Sequence, residues 1–215
     1  MIDLSALWGF TLIVALLTVT PGLDTALILR TAALGHRRSA WGVVLGIQAG
    51  TLTWGLLTSV GVTALLTASQ VAYTIVRWAG AAYLVWMGVR MIWTARGGSA
   101  SGPDGMDSGD VGHGDARGPR SGFQRGLLTN LLNPKVGAFY VAVLPQFIPA
   151  GTSHLAMGAL LTGVHVLLGI LWSSLLIGFA RVLGNRLRRQ STRRLLDRIA
   201  GTAIAAFGFR VALGD

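Results

Sequence analysis

The sequence predicts an all-α, polytopic membrane protein with six transmembrane helices, arranged as two inverted three-helix repeats whose first helices are broken. Three observations predict it: long uncharged stretches, basic residues in alternate connections, and similar motifs in the two halves of the chain. Of the 215 residues, 52% are hydrophobic and only 12% are charged. Soluble domains usually carry about twice that charged share, so the composition favours a membrane protein.

Long stretches without Asp, Glu, Lys or Arg define the helices. The clearest run from Leu4 to Leu23, from Ser39 to Val76 and from Leu155 to Ala180. A hydrocarbon core about 30 Å thick is crossed by roughly 20 apolar residues in a helix. On this basis the predicted segments are 4–28, 40–66, 71–94, 126–148, 154–180 and 197–213.

The basic residues alternate between the predicted connections. Arginines occupy the connections between segments 1 and 2, 3 and 4, and 5 and 6, whereas residues 67–70 and 148–153 contain no Lys or Arg. Because basic loops remain cytoplasmic, both termini are predicted to face outward. This loop bias orients membrane proteins and accounts for the net charge of +10, which argues against a nucleic-acid partner. Contact of the basic run at 181–198 with the headgroups of membrane lipids is a further expectation.

A Gly-, Ser- and Asp-rich stretch, 97–122, separates two similar halves. Its composition predicts a flexible cytoplasmic linker between repeats 1–96 and 123–215. The motif "RWAGAAYLVWMGVR" in the first half is similar to "RIAGTAIAAFGFR" in the second, and "TPG" corresponds to "NPK". Three spans in each half would invert the second copy, which is the plan of many secondary transporters.

Helix-breaking residues occur at matching points of the two halves. Pro21 with Gly22 interrupts segment 1, and Pro134 interrupts segment 4. Proline removes a backbone donor, and in lipid the freed groups must be satisfied by protein or by water in a cavity. The two breaks are therefore predicted to line a common binding cavity.

Opposite charges lie beside the breaks. Counted along a helix from Arg30, Asp24 is about 9 Å deep, and Lys135 is about 15 Å from Arg125. Such groups are costly in the membrane and should face the protein interior. Asp24 is predicted to receive a substrate ammonium or a proton, and Lys135 a substrate carboxylate. Three alternatives stay open: Asp24 as a helix cap, Lys135 reaching the cytoplasmic interface, and a plain ion pair between them.

Four more polar residues are weaker candidates for the same site. Asn130 and Asn133 lie on the approach to the second break, and Gln48 and His165 occupy corresponding positions in the two halves. An intramembrane histidine can relay protons, or it can simply bond a neighbouring helix.

Other classes of protein find little support. The chain has no cysteine and no glutamate, and it contains no H-E-x-x-H, G-x-S-x-G or Walker motif. No enzyme activity, metal or cofactor is therefore predicted, and a gradient is expected to supply the energy. The glycines at 42, 46 and 50 indicate close helix packing within the monomer, although a homo-oligomer stays open.

Three motifs resemble the LysE/RhtB family of amino-acid exporters over nearly the whole chain. They are "TPGLDTALILRTAALGHRRSAWGVVLGIQAG", "GAAYLVWMGVR" and "GLLTNLLNPKVGAFYVAVLPQF". The family usually has P-G-P-D where this chain has P-G-L-D, so a gentler break is expected. The resemblance implies export of an amino acid or close analogue across the bacterial cytoplasmic membrane, coupled to proton entry. It marks Asp24, Asn133, Pro134 and Lys135 as family-pattern residues.

Three alternatives to amino-acid export remain open at this point. They are an exporter of cations or other small metabolites, a non-transporting membrane scaffold, and an intramembrane enzyme. The shortage of carboxylates argues against cations, the costly charges argue against a scaffold, and an enzyme would lack a nucleophile–base pair.

Overall fold

A computed structural model describes residues 4–96, 118–149, 152–180, 182 and 189–213. The fold over these residues is all-helical, which confirms the predicted class. In chain order the helices are α1 (Leu4–Val19), α2 (Leu23–Ala33), α3 (Arg37–Ala68), α4 (Gln70–Arg96), α5 (Pro119–Leu131), α6 (Pro134–Ala142), α7 (His154–Gly178) and α8 (Gln190–Leu213), with a 3₁₀ turn at Leu144–Phe147.

The predicted linker differs from the structure at its end. Residues 97–117 lie outside the described part of the chain. Helix α5, however, begins at Pro119, so that residues 119–122 are helical rather than part of a flexible linker. Proline at the first helical position explains this start, because its fixed φ suits the helix and its missing N–H would have had no partner there.

Three of the described helices are long and apolar enough to cross a membrane: α3, α4 and α7. Two further spans result if each bent pair counts as one; α1 and α2 meet at 51°, and α5 and α6 meet at 55°. Helix α8, the predicted sixth span, is not among these membrane-spanning helices. Arg194, Asp197 and Arg198 lower the hydropathy of its first half.

The distribution of side chains is that of a protein surrounded by lipid. Leu52 on α3 and Leu171 on α7 are exposed, whereas Gln48 and His165 are buried together with the apolar core. Large exposed apolar side chains and a partly polar interior fit a protein surrounded by lipid, which accepts the apolar faces.

Helices α3 and α5 pack with their backbones in contact. A Cβ atom on Gly46 would meet the carbonyl oxygen of Phe123, and one on Gly126 would meet that of Val43. The glycines at 42 and 50 also face α5. The predicted packing within one chain is therefore confirmed.

Two apolar clusters lie on either side of the first break. Phe10 in α1 belongs to the cluster that contains Phe139 and Leu84. Ile28 in α2 belongs to the other, with Val43. The chain thus passes from one cluster to the other at the bend.

Candidate functional site

A cavity lies where the two broken helices meet α3 and α7. It has about 580 Å³ of empty volume, part of it open to solvent. The structure brings all six predicted polar side chains to its wall: Asp24, Lys135, Asn133, Asn130, Gln48 and His165. Gly22 also lines it, whereas Pro21 and Pro134 interrupt the helices without being part of the lining.

Lys135 completes the end of α1, a helix of the other half of the chain. Because Pro21 has no N–H, the carbonyl of Leu17 lacks the donor that a continuous helix would supply. Lys135 Nζ lies 3.4 Å from Leu17 O and 3.4 Å from Thr20 O. The ammonium is thus placed at the negative end of the α1 dipole, where a cation is favoured.

Asp24 lies in the first turn of α2, the end of a helix that favours a negative charge. Asn130 Nδ2 donates to Asp24 Oδ2 at 2.9 Å, and Asn133 Nδ2 donates to Asp24 Oδ1 at 3.4 Å. Both carboxylate oxygens therefore accept hydrogen bonds from the second break. The N-cap residue of α2, Gly22, supplies no side-chain hydrogen bond.

Asn133 joins the two breaks. Its Oδ1 atom accepts a hydrogen bond from the backbone N–H of Lys135 at 3.1 Å, which makes it the N-cap of α6. Its Nδ2 atom reaches Asp24 across the cavity. Asn133 therefore caps α6 within its own half and bonds Asp24 of the other half.

His165 of α7 bonds Tyr140 of α6. The Tyr140 hydroxyl lies 3.0 Å from His165 Nδ1, and the rings stack with centroids 5.7 Å apart. The predicted hydrogen bond to a neighbouring helix is therefore present. His165 also lines the cavity.

Sequence reasoning missed several residues of the cavity wall. They are mainly hydroxyl and indole side chains: Thr18, Thr51, Trp172 and Ser173. Helical spacing could have found three of them, because Thr51 lies one turn from Gln48, and Trp172 and Ser173 lie two turns from His165.

The charged side chains identified on the wall are Asp24 and Lys135. Within the described ranges, no three His, Cys, Asp or Glu side chains come together as a metal site would require. The cavity thus offers one negative group, one positive group and a majority of neutral ones.

Comparison with known proteins identifies the family. A family model described as LysE type translocator matches residues 15–215. The chain belongs to the LysE type translocator family. It is therefore a transporter rather than an enzyme, and a multi-pass bacterial membrane protein.

Several relatives of this LysE translocator are named as efflux proteins. A homoserine/homoserine lactone efflux protein of Salmonella typhi is 34% identical over 69% of this chain and 68% of its own length. A leucine efflux protein of Enterobacter sp. (strain 638) is 27% identical over 95% of this chain and 94% of its own. A threonine efflux protein of Salmonella typhi is 27% identical over 94% and 93%. No solved structure shows significant similarity to the translocator.

Proposed function

We propose that this LysE translocator is a secondary transporter that exports amino acids or close analogues from the cytoplasm in exchange for protons. The observation that carries the proposal is the pair of opposite charges, Asp24 and Lys135, at two facing helix breaks that line one cavity. The named relatives export homoserine and its lactone, leucine and threonine. The three amino acids share an ammonium and a carboxylate, and the lactone keeps the ammonium alone.

The substrate's two charged groups match the two ends of the site. Asp24 receives the ammonium. Lys135 receives the carboxylate together with the first backbone N–H groups of α2, which a helix start leaves without intrahelical acceptors. The carbonyls of Leu17 and Thr20 lie 3.4 Å from Lys135 Nζ and hold the ammonium beside the cavity.

Exchange at Asp24 couples export to protons. The Asp24 carboxylate takes either a proton or the substrate ammonium, because one negative charge cannot neutralise both. Asn130 and Asn133 orient both carboxylate oxygens for either partner. His165, on the same wall, is the second candidate for proton transfer.

The proposed architecture is six spans in two inverted repeats, residues 1–96 and the chain from α5 onward, joined by the connection that ends before Pro119. Two sets of contacts support it. Helix α3 contacts both parts of the second broken helix, α5 and α6, and α7 contacts both parts of the first, α1 and α2. An exchange of this kind is what two copies related by a two-fold axis would produce.

The composition of the cavity favours an amino acid over a metal cation. Hard cations take six or more oxygen ligands in typical protein sites, whereas the wall has one carboxylate, and amide nitrogens already occupy both of its oxygens. A scaffold would not need charges at such positions, because each is costly to place in a membrane.

Efflux from loaded cells tests the proposal. Cells that express the wild type, Asp24→Asn or the α8 control Asp197→Asn are loaded with a panel of amino acids and dipeptides. Efflux is then followed at several external pH values. We expect faster efflux with the wild type and the control, and a strong loss with Asp24→Asn. The proposal would be overturned if the wild type accelerated the efflux of none of the amino acids in the panel. Normal efflux by Asp24→Asn at every pH would remove both roles assigned to Asp24, ammonium binding and proton exchange, and would leave export itself.

A further inference from the structure

The end of α1 has a backbone carbonyl that its own helix does not satisfy. Leu16 O accepts hydrogen bonds from the backbone N–H of Thr20 at 3.1 Å and from the Thr20 hydroxyl at 2.6 Å. The next carbonyl, Leu17 O, would bond residue 21 in a continuous helix, but Pro21 has no N–H. Inside a membrane such a carbonyl has to find its partner in the protein or in a cavity.

Lys135 supplies that partner as a positively charged group. Its Nζ atom lies 3.4 Å from Leu17 O and 3.4 Å from Thr20 O, and its backbone N–H is held by the Asn133 side chain at the start of α6. A neutral side chain could donate to the two carbonyls at a much lower cost in a membrane. The use of a charge therefore indicates that the end of α1 requires a cation and not simply a hydrogen-bond donor.

We infer that the C-terminal end of α1 is a monovalent-cation site of the transport cycle, and that the Lys135 ammonium is its built-in occupant. In secondary transporters with broken helices, unwound carbonyls and the C-terminal ends of half-helices coordinate the coupling ion. In this translocator a lysine from the second half of the chain takes the corresponding place. Its role in the cycle rests on the proposed function, whereas the cation site can also be tested without transport.

The occupant lies between the end of α1 and the space for the substrate. Lys135, Leu17 and Thr20 all line the cavity, and Asp24 on the same wall supplies a negative charge that balances the ammonium. A cation in this position contacts the end of α1 on one side and a bound carboxylate on the other. It thereby links the geometry of the first break to the presence of substrate, as a coupling ion does.

The contacts of Lys135 do not fit a side chain that extends along the membrane to the cytoplasmic interface. The carbonyl that its ammonium approaches belongs to Leu17, which is buried in the same apolar cluster as Phe139. Lys135 itself is half-buried, and Thr20 is only 4% exposed. The ammonium is therefore held within the protein, beside the cavity.

Chemical rescue of Lys135→Ala tests the site. The substitution removes three methylene groups and the ammonium, which together correspond to n-propylammonium. In purified full-length protein we expect about 100 mM n-propylammonium chloride to raise the thermal midpoint of Lys135→Ala by about 2–5 °C. It should change neither the wild type, whose site is occupied, nor Lys135→Met, whose side chain fills the space without a charge. Tetramethylammonium chloride, which has no N–H, is the control for ionic strength.

Amino-acid exchange in proteoliposomes provides the functional arm. The amino acid that the wild type exports fastest in the efflux panel is used as the radiolabelled probe. We expect n-propylammonium to increase exchange by Lys135→Ala severalfold and to leave the wild type unchanged. Lys135→Gln, which keeps N–H donors but has no charge, is the second variant if Lys135→Ala does not fold, and it should lose exchange at least about tenfold. The wild type should exchange equally well in sodium and in choline medium.

The outcomes separate the cation site from the proposed function. An unchanged midpoint for Lys135→Ala, or an equal rise for Lys135→Met, would overturn the site. A rise without restored exchange, normal exchange by Lys135→Gln, or a sodium requirement in the wild type would overturn its role in the cycle. If the wild type exchanges no amino acid of the panel, the proposed function fails, and the thermal midpoints still decide whether α1 ends in a cation site.

Discussion

The two charged residues of the cavity have structural partners as well as proposed substrate partners. Lys135 donates to carbonyls at the end of α1, and Asp24 lies at the start of α2. The interpretation of Asp24 as an acid that stabilises a helix start and its interpretation as a ligand for a substrate are therefore compatible. A group that completes a helix end from across a cavity is already oriented toward the space that a substrate would enter.

Lys135→Met should show the structural part of this role. The substitution keeps an apolar stem but removes the donor for Leu17 O and Thr20 O, so we expect the free energy of unfolding to fall by about 1–3 kcal/mol and efflux to be lost. The loss of stability is measured as a thermal midpoint in detergent, with size-exclusion chromatography as the readout of folded protein. The exposed Arg38→Met is the matched control, and an unchanged midpoint for Lys135→Met would contradict the assignment.

Tyr140→Phe removes the hydrogen bond to His165. The phenol ring is fully buried. The substitution removes its hydroxyl and leaves His165 Nδ1 without this partner. We expect a loss of about 1 kcal/mol in the same unfolding assay. Tyr83→Phe, at a half-buried residue that contacts Trp86, should have less effect. Equal midpoints for the two variants would show that the bond adds no stability.

At the scale of the helices, the first break does not need the second proline that the family pattern has. The α1–α2 pair bends by 51°, close to the 55° of the α5–α6 pair. The missing donor of Pro21, the extended backbone of Gly22 (φ −143°, ψ −163°) and the ammonium of Lys135 together account for the bend.

Leu23→Pro, which restores the family pattern, should therefore be tolerated. Leu23 is the first residue of α2, where proline is favoured, and the extended Gly22 before it is compatible with a following proline. We expect stability to change by no more than about 1 kcal/mol and efflux to be retained. Leu27→Pro, in the interior of the same helix, should cost about 3 kcal/mol or more. Similar damage from both would contradict the assigned start of α2.

Two glycine substitutions should have opposite effects on stability, one inside the α3–α5 contact and one outside it. Gly46→Ala places a methyl group against the backbone of Phe123 and should cost about 1–3 kcal/mol. Gly163→Ala, on α7 with no atom within 4 Å of the added carbon, should gain up to about 1 kcal/mol from helix propensity. Thermal midpoints in detergent compare them, and a shared sign would contradict the described packing.

The sequence predicted some of these features well because they depend on local chemistry. Proline and glycine indicated both breaks, and uncharged length indicated α3 and α7 to within a few residues. The predicted linker extended past the start of α5, because the Gly- and Ser-rich composition continues to residue 122 although Pro119 already begins the helix. The contacts of Tyr140 and Trp172 could not be predicted, since they depend on how α6 and α7 are rotated against their neighbours, which apolar helices do not encode in their periodicity.

At the scale of the whole molecule, the status of α8 decides the number of spans. Unlike α3, α4 and α7, α8 is not among the helices that are long and apolar enough to cross a membrane, yet it packs extensively along α4. Ala200 and Ile204 are buried, while Ile199 and Phe209 are exposed. A helix with one face against a spanning helix and another apolar face outward is suited to lipid, which supports α8 as the sixth span.

Reporter fusions test this layout directly. With six spans and cytoplasmic basic connections, a reporter fused after Ala100 should lie in the cytoplasm, and one fused after Asp215 should lie outside. Green fluorescent protein fluoresces in the first location and exported alkaline phosphatase is active in the second. A truncated fusion after Ser153, in a connection without Lys or Arg, is the external control.

The C-terminal fusion distinguishes a six-span layout from a five-span layout, because the two layouts differ only in α8. If α8 crosses the membrane, the phosphatase after Asp215 is active and the second half of the chain has three spans, like the first. If fluorescence appears there instead, α8 lies on the cytoplasmic side and the second half has only two spans. The halves could not then be inverted copies of each other, and the symmetry that relates the two breaks would have to be abandoned, even though the cavity between them would remain.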